Sequence, residues 1–516
     1  MHSLRLLTPT LLIAALMCPV ALHAESRGER GDDRHDGHDI RHVLLISIDG
    51  LHESDLDKLR AAMPGSTLDE LMEHGVEFER AHCTKPSDSQ PGILAMTTGG
   101  TPKSTGCFYD NSYDRLLFDR TSSTPGVNCL YDENVEFDST RLDGGGGIDP
   151  THLPLTAPLA LGGVPVFPHS FLRTNTIFEV IRAAGMRTAW CDKSWGYEIL
   201  NGPSGHGIDD LFVPEIKSGP DFTTTIPLVE SYDDLKVTAV INQIHGLDHA
   251  GQTLPGGKRV PAILGMNFQA ISVGQKLVVG GYQNLPGNPF TTNLAEAFGH
   301  TDASLGRMVA ALKHEHLDES TLIIISAKHG QAPIDPTKVA KIGDQISGVV
   351  GSRAAHVTLD DVALIWLTPG AQPMTEQVVN DLLLPVNQAK AHIKRVIWGA
   401  EMAALYGDPR HNSRTPDIIV VPEEGAIYTS SGKKNAEHGG FNEDDVHVGL
   451  VIANPHIIPG VVHEPVHTTQ VAPTILKELD LEPGLLHSVR AEGTEVLPGI
   501  HFDGHDAHHH GLRGDG

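Results

Sequence analysis

Six short apolar runs separated by helical patterns constrain this chain more than any other feature of its sequence. The runs cover 43–48, 188–190, 263–268, 321–326, 417–421 and 449–452. They are continuous rather than alternating, as strands buried on both faces are. Helical spacing of apolar residues intervenes at 56–71, 177–184 and 294–312. A strand that pairs in parallel with its predecessor needs a crossover of a dozen or more residues, which a helix supplies. The expectation is an α/β fold with a mostly parallel central sheet and helices on both faces. The stretch 339–410 stands apart as a compact cap insertion, with a strand at 362–367 and helices at 376–384 and 389–393.

Ligands of such sheets gather at the C-terminal ends of the strands. Asp49 follows the first run, and Lys328 and His329 follow the run at 321–326. Residues 84–113, TKPSDSQPGILAMTTGGTPKSTGCFYDNSY, read as a loop bearing Ser87, Asp88 and Ser89 that opens a short apolar helix. Pro91 sits near the first helical position, and Gly99-Gly100-Thr101-Pro102 ends the helix. A hydroxyl at a helix start faces unpaired N–H groups and the positive dipole end, a setting that favours an alkoxide and a neighbouring oxyanion. An N-cap serine that only satisfies the helix is the plainer alternative.

The formal net charge of −27 excludes nucleic acid and anionic membranes as partners. A small anionic substrate is still admissible, because a local site can oppose the global field. Residues 1–24 pair one Arg with an apolar stretch and small Ala24, which reads as a signal peptide and places the chain in the periplasm or outside the cell. Residues 25–40 are polar and charged and read as a disordered tether, and 482–516 as a His/Gly-rich tail. No later segment is apolar for long enough to span a bilayer. Without Cys18 there remain Cys83, Cys107, Cys129 and Cys191, which allow two disulfides or four buried thiols. A Cys107–Cys129 bridge would close a short loop beside the helix-start segment. The oligomeric state is not fixed by the sequence.

The run SQPGILAMTTGGTPKSTGCFYDNSYD, with Ser89 two residues before Pro91 and then Thr98-Gly99, Pro102, Ser104-x-Gly106 and Asp110-Asn111, resembles a known nucleophile segment. It is that of the type I phosphodiesterase/nucleotide pyrophosphatase branch of the alkaline phosphatase superfamily. The resemblance covers 41–481 and implies the alkaline-phosphatase-like sandwich. It places Ser89 as nucleophile, Asn111 as the side chain that steadies a developing oxyanion, and Asp49 as a first metal ligand. The segment ISAKHGQAPID, 325–335, matches the family's Ser-Asp-His-Gly, but Lys328 stands where the family has a metal-binding Asp; His329 and Gly330 keep their places. The segment 433–455 puts His438 on a ligand of the other metal. In GMNFQAISVGQK, 265–276, a frame set by Ser272, Gly274 and Lys276 puts Ile271 and Gln275 where the family has its remaining Asp and His.

The resemblance thus implies a degenerate site. One metal position has lost two of three ligands, and the other has exchanged Asp for Lys. Zinc takes about four N, O or S ligands, so a two-zinc site is not expected. At most one divalent metal, zinc by the nature of the donors, is expected on Asp49, Ser89 and His329. Two like charges about 4 Å apart repel by roughly 4 kcal/mol at an effective dielectric of about 20, and a dication doubles this. Lys328 must therefore be neutral, swing aside, or replace the metal and pair with Asp49 near Ser89. The expected function is an exported hydrolase of phosphate mono- or diesters acting on a small anionic ester through a Ser89 phospho-enzyme, with Asn111 and Lys328 assisting. The alternatives are a non-catalytic ligand-binding pseudoenzyme and a single-metal sulfatase-like hydrolase. His300 and Asp302 are weaker candidate ligands, because side chains two apart on a helix do not converge. Asp192, Lys193 and Tyr197 are candidates for the cleft wall, and Trp190 for the core.

Overall fold

The computed structural model describes residues 40–503, apart from 133, 286 and 433. The signal segment, the tether as far as residue 39 and the histidine-rich end of the tail beyond 503 lie outside the described residues. Six strands of the central sheet come first: β1 (His42–Ile48), β2 (Gly75–Phe78), β3 (Ala189–Cys191), β4 (Asp210–Phe212), β5 (Ile263–Phe268) and β6 (Thr321–Ser326). A four-stranded cap sheet follows, with β7 (Ala354–Leu359), β8 (Ala363–Leu367), β9 (Ile393–Trp398) and β10 (Ile418–Pro422). Two further strands, β11 (Val451–Ala453) and β12 (Gly460–Val462), complete the central sheet in the order β12-β2-β11-β6-β1-β5-β3-β4. Every neighbour pairs in parallel except β11, which runs against both β6 and β2.

Alternate residues of β1 feed the two faces of the sheet. Val43 and Leu45 join one core with Ile93, Leu94 and Met96 of helix α1 (Ser89–Thr98). Leu44, Ile46 and Ile48 join the other with helices α2 (Ile226–Ile244) and α4 (Thr292–His314); the short α3 (Ala270–Lys276) follows β5 between them. Burial on both faces is why these strands read as unbroken apolar runs. No helix among the described residues is long and apolar enough to cross a membrane.

Three expectations change. The run at 417–421 is β10 and belongs to the cap sheet, where it pairs with β8 and β9. The cap sheet is itself covered on both faces, by Ala363, Ile365 and Ile418 on one side and Leu364, Trp366 and Ile419 on the other, so its strands carry the same signature as central ones. The single helical pattern at 56–71 is two helices, Glu53–Ala62 and Thr67–Glu73, broken at Pro64-Gly65 with Gly65 at φ 73°. Among the described residues Cys83, Cys107, Cys129 and Cys191 are buried free thiols, and burial pushes the Cys107 thiol up to about 11. Part of the expected tail is folded: helix His487–Glu492 brings Glu492 onto Thr101 N (3.0 Å) and Ser488 onto Ser104 Oγ (2.9 Å), bracing the turn that ends α1.

Candidate active site

The site grows from one edge of the sheet. Ser47 of β1 is in register with Ser326 of β6 and Asn267 of β5, so the three strands release Asp49, Lys328-His329 and Gln269 side by side. All ten residues of helix α1 are buried, and the Asp88 carboxylate caps it by accepting Gln90 N–H at 3.2 Å. The same Oδ2 accepts Asp110 N–H at 3.0 Å. A Cβ on Gly92 would collide with the Lys328 carbonyl. Glycine at that position lets α1 lie against the end of β6 and brings Ser89 to His329.

The Ser89 Oγ is 3.2 Å from His329 Nε2. His329 Nδ1 donates to the Gly330 carbonyl at 2.8 Å, which leaves Nε2 of the neutral ring as acceptor for the Ser89 hydroxyl. Burial lowers the His329 pKa to about 4, against the attraction of Asp49, so the imidazole is neutral near pH 7. Asp49 Oδ2 accepts from Gln269 Nε2 at 2.6 Å and Asn267 Nδ2 at 3.1 Å. Its Oδ1 is buried without a hydrogen-bond donor and faces His329 Nε2 at 3.8 Å and Lys328 Nζ at 4.0 Å. Burial opposes ionisation of Asp49, but Lys328, His329 and Lys193 hold its carboxyl far below the usual range.

Lys328 is fully buried, and Asp49 is not its nearest partner. Its ammonium donates to Asp192 Oδ1 at 3.1 Å and to Tyr197 Oη at 3.0 Å, and lies over the Tyr197 ring. Tyr197 lies close enough to Ser89 for their hydroxyls to interact. Burial lowers the Lys328 pKa while Asp192 and Asp49 raise it. His438 stacks on His329 with ring centroids 4.0 Å apart, and its Nδ1 is 3.7 Å from Asp88 Oδ1. Burial drives the His438 pKa well below the ordinary value.

Beside this cluster opens a cavity of about 660 Å3 whose wall includes Asp88, Gln269 and His438. Lys193, Lys217, Lys276 and Lys434 also line it, together with Asp110, Asp221, Asp360 and Glu437, so the wall carries charges of both signs. Lys276 Nζ pairs with Glu437 Oε2 at 3.2 Å.

Residues 43–444 match the family described as Type I phosphodiesterase / nucleotide pyrophosphatase. The chain belongs to this family. The family is one of phosphoester hydrolases, and the fold is the alkaline-phosphatase-like α/β sandwich. Murine ectonucleotide pyrophosphatase/phosphodiesterase 5, solved as an inactive variant in complex with AMP, is 16% identical at a TM-score of 0.57, over 86% of this chain and 96% of that one. The alkaline phosphatase PafA is 14% identical at a TM-score of 0.56, over 86% and 96%. The human counterpart of the murine protein gives 16% and 0.54, over 85% and 95%. No curated protein matches the chain in sequence.

The structure brings Asp49, Ser89, Lys328, His329 and His438 together and corrects several of the other sequence assignments. Ile271 packs in the core, and Gln275 Nε2 donates to Gly50 O and Tyr282 Oη, both at 2.8 Å. The residues of this segment that line the cleft are instead Gln269, Ser272, Val273, Lys276 and Leu277. Asn111 begins a hairpin strand, Asn111–Asp114, and its carbonyl accepts Thr358 Oγ1 at 2.7 Å; the neighbouring Asp110 lines the cleft in its place. Adjacent residues of an extended chain point to opposite sides, so a one-residue offset changes which side chain reaches the site. Asp302 caps helix Thr67–Glu73 through Leu68 N at 2.8 Å, and His300 lies 3.5 Å from Asp234, so neither is a ligand here. Trp190 is a core residue that donates to Asp192 Oδ2 at 3.1 Å.

These donors do not fit a pair of zinc ions. At the first position Ile271 offers no donor atom, Gln275 spends its amide N–H on Gly50 and Tyr282, and His438 has only the Asp88 carboxylate, 3.7 Å from its Nδ1, for company. At the second, the unsatisfied Asp49 Oδ1 is the kind of atom a cation covers, but the Lys328 ammonium already stands beside it.

Proposed function

We propose that this protein is an exported hydrolase of phosphate mono- or diesters in which Ser89 is the nucleophile and His329 its base. The observation that carries this reading is the Ser89–His329 contact of 3.2 Å at the N-terminus of α1. Ser89 Oγ attacks phosphorus as its proton passes to Nε2 of His329. The leaving ester oxygen takes that proton and departs as an alcohol, and a phosphoserine remains. Water then attacks phosphorus, giving a proton to His329, and Ser89 recovers its own as phosphate or monoester leaves. Asp49 steadies the transient imidazolium across 3.8 Å. The Tyr197 hydroxyl, fixed by Lys328, lies beside the Ser89 oxygen while charge moves through it. Lys193 and the other cleft lysines attract the anionic ester.

The site holds at most one divalent cation, on Asp49, Ser89 and His329, and no step above passes through it. The substrate is a small anionic ester; the AMP complex of the murine neighbour makes a nucleotide a sensible first probe. Turnover of nitrophenyl phosphate or bis-nitrophenyl phosphate that disappears in Ser89→Ala and persists in Ser87→Ala supports the proposal. Turnover confined to nitrophenyl sulfate would favour a sulfatase-like reaction.

A second reading is a non-catalytic binding protein. It is favoured by the 1% exposure of Ser89 and by the donors that already occupy Asp49 Oδ2. Intact folding and AMP binding without turnover of any ester, under every divalent ion tried, would select it.

A further inference from the structure

The C-terminal ends of α2 and α4 bring three metal-binding side chains together, and none of them takes part in the chemistry described above. His245 is the C-cap of α2, His314 is the last residue of α4, and Glu315 is the C-cap of α4. Both imidazoles aim Nδ1 at the same carboxylate oxygen, Glu315 Oε1, at 2.8 Å from His245 and 3.2 Å from His314. The rings stand nearly perpendicular, with centroids 6.1 Å apart. Among the described residues this is the one group of three or more His, Cys, Asp or Glu whose ligand atoms all lie within 4.8 Å of one another.

We propose that His245, His314 and Glu315 form a binding site for a divalent transition-metal ion, with zinc the preferred occupant and water completing its shell. Two imidazole nitrogens and a carboxylate oxygen are a donor set that suits borderline ions such as zinc and not calcium or magnesium. The ion takes the place of the two Nδ1–H protons that now point at Glu315; in each neutral ring that proton moves to Nε2. Two helix C-termini meet here, and the partial negative charge of each favours a cation. All three side chains reach solvent, His314 most of all, which gives the ion an entry path and leaves a coordination position for water.

Such an ion would pin α2 to α4. Helix α2 supports the cleft from beneath: Asp233 accepts the backbone N–H groups of Gln269 (3.0 Å) and Ala270 (2.9 Å), and Lys236 donates to the Asn267 carbonyl. Asn267 and Gln269 are the residues that hold Asp49. The site is therefore a staple behind the cleft wall.

The test is a zinc titration of the full chain against a chromophoric chelator, alongside cobalt absorption, for wild type, Glu315→Gln and the double variant His245→Ala/His314→Ala. Other histidines of the chain bind equally in all three proteins, so the differences isolate this cluster. The double variant should lose one zinc equivalent and its cobalt band, and Glu315→Gln should weaken that equivalent by roughly tenfold or more. An unchanged titration and cobalt spectrum in the folded double variant would overturn the proposal. Ester hydrolysis is measured on the same samples, and its presence or absence bears on Ser89 alone.

Discussion

The Lys328 ammonium lies 3.1 Å from the Asp192 carboxylate, and neither group reaches solvent. That pair sets the charge of the whole site. It anchors a cation at the end of β6, keeps Tyr197 against Ser89, and leaves Asp49 ionised within 4.0 Å. Removing one partner of a buried pair costs about 3–5 kcal/mol, because the other charge is left in a medium that cannot solvate it. Lys328→Met should therefore lower the unfolding free energy by about that amount in urea titration. A loss of under about 1 kcal/mol would mean that the pair is solvated, as surface pairs are.

Lys328→Asp should do something different. It replaces the ammonium with a carboxylate beside Asp49, Ser89 and His329, supplying a fourth donor where repulsion stood. Metal analysis of the folded variant should find one more bound zinc than in wild type. An unchanged ratio would show that the lysine is not what keeps the metal out.

Gly92 is the contact that seats α1 on the end of β6, since any Cβ there meets the Lys328 carbonyl. Gly92→Ala should destabilise the fold by about 1–3 kcal/mol, the cost of overpacking a filled core. It should also reduce ester turnover, because Ser89 rides on the displaced helix. Stability and turnover equal to wild type would contradict this assignment.

His329 has a folded pKa of about 4, below its ordinary value of 6.5. The unfolded chain therefore takes up a proton at higher pH than the folded one does, and stability falls as pH drops from about 6.5 towards 4. His329 contributes roughly 3 kcal/mol to that fall. Asp49, whose folded pKa is depressed, adds a further loss below about pH 4. Chemical denaturation of His329→Gln at a series of pH values should show a shallower slope between 6.5 and 4, with His438, His356 and the other buried histidines supplying the remainder. Identical slopes would place the His329 proton elsewhere.

The sequence reveals Asp49, Ser89 and His329 because each sits at a strand end or a helix start, where local pattern alone marks a position. The partners of those residues come from other strands. Asp192 at the end of β3 and Gln269 at the end of β5 become neighbours of the site only through sheet order, which apolar runs do not encode. The frame set by Ser272, Gly274 and Lys276 lands on Ile271 and Gln275, which are buried away from the cleft, whereas Gln269, the first residue after the strand, lines it. Asn111 gives way to Asp110 by a single step of an extended chain. Helix α2 escapes the pattern because its buried face includes Asp233, Lys236 and Gln243, and the membership of β10 in the cap is invisible because burial makes strand residues apolar whichever neighbours bury them.

The most direct test of the central claim is acid quenching of the full chain during turnover of a phosphate ester, followed by peptide mass analysis. The expected result is one phosphoryl group on the peptide bearing Ser89, absent in Ser89→Ala and accumulating when His329→Gln slows its hydrolysis. Undiminished turnover with no phosphoryl group on that peptide would contradict it.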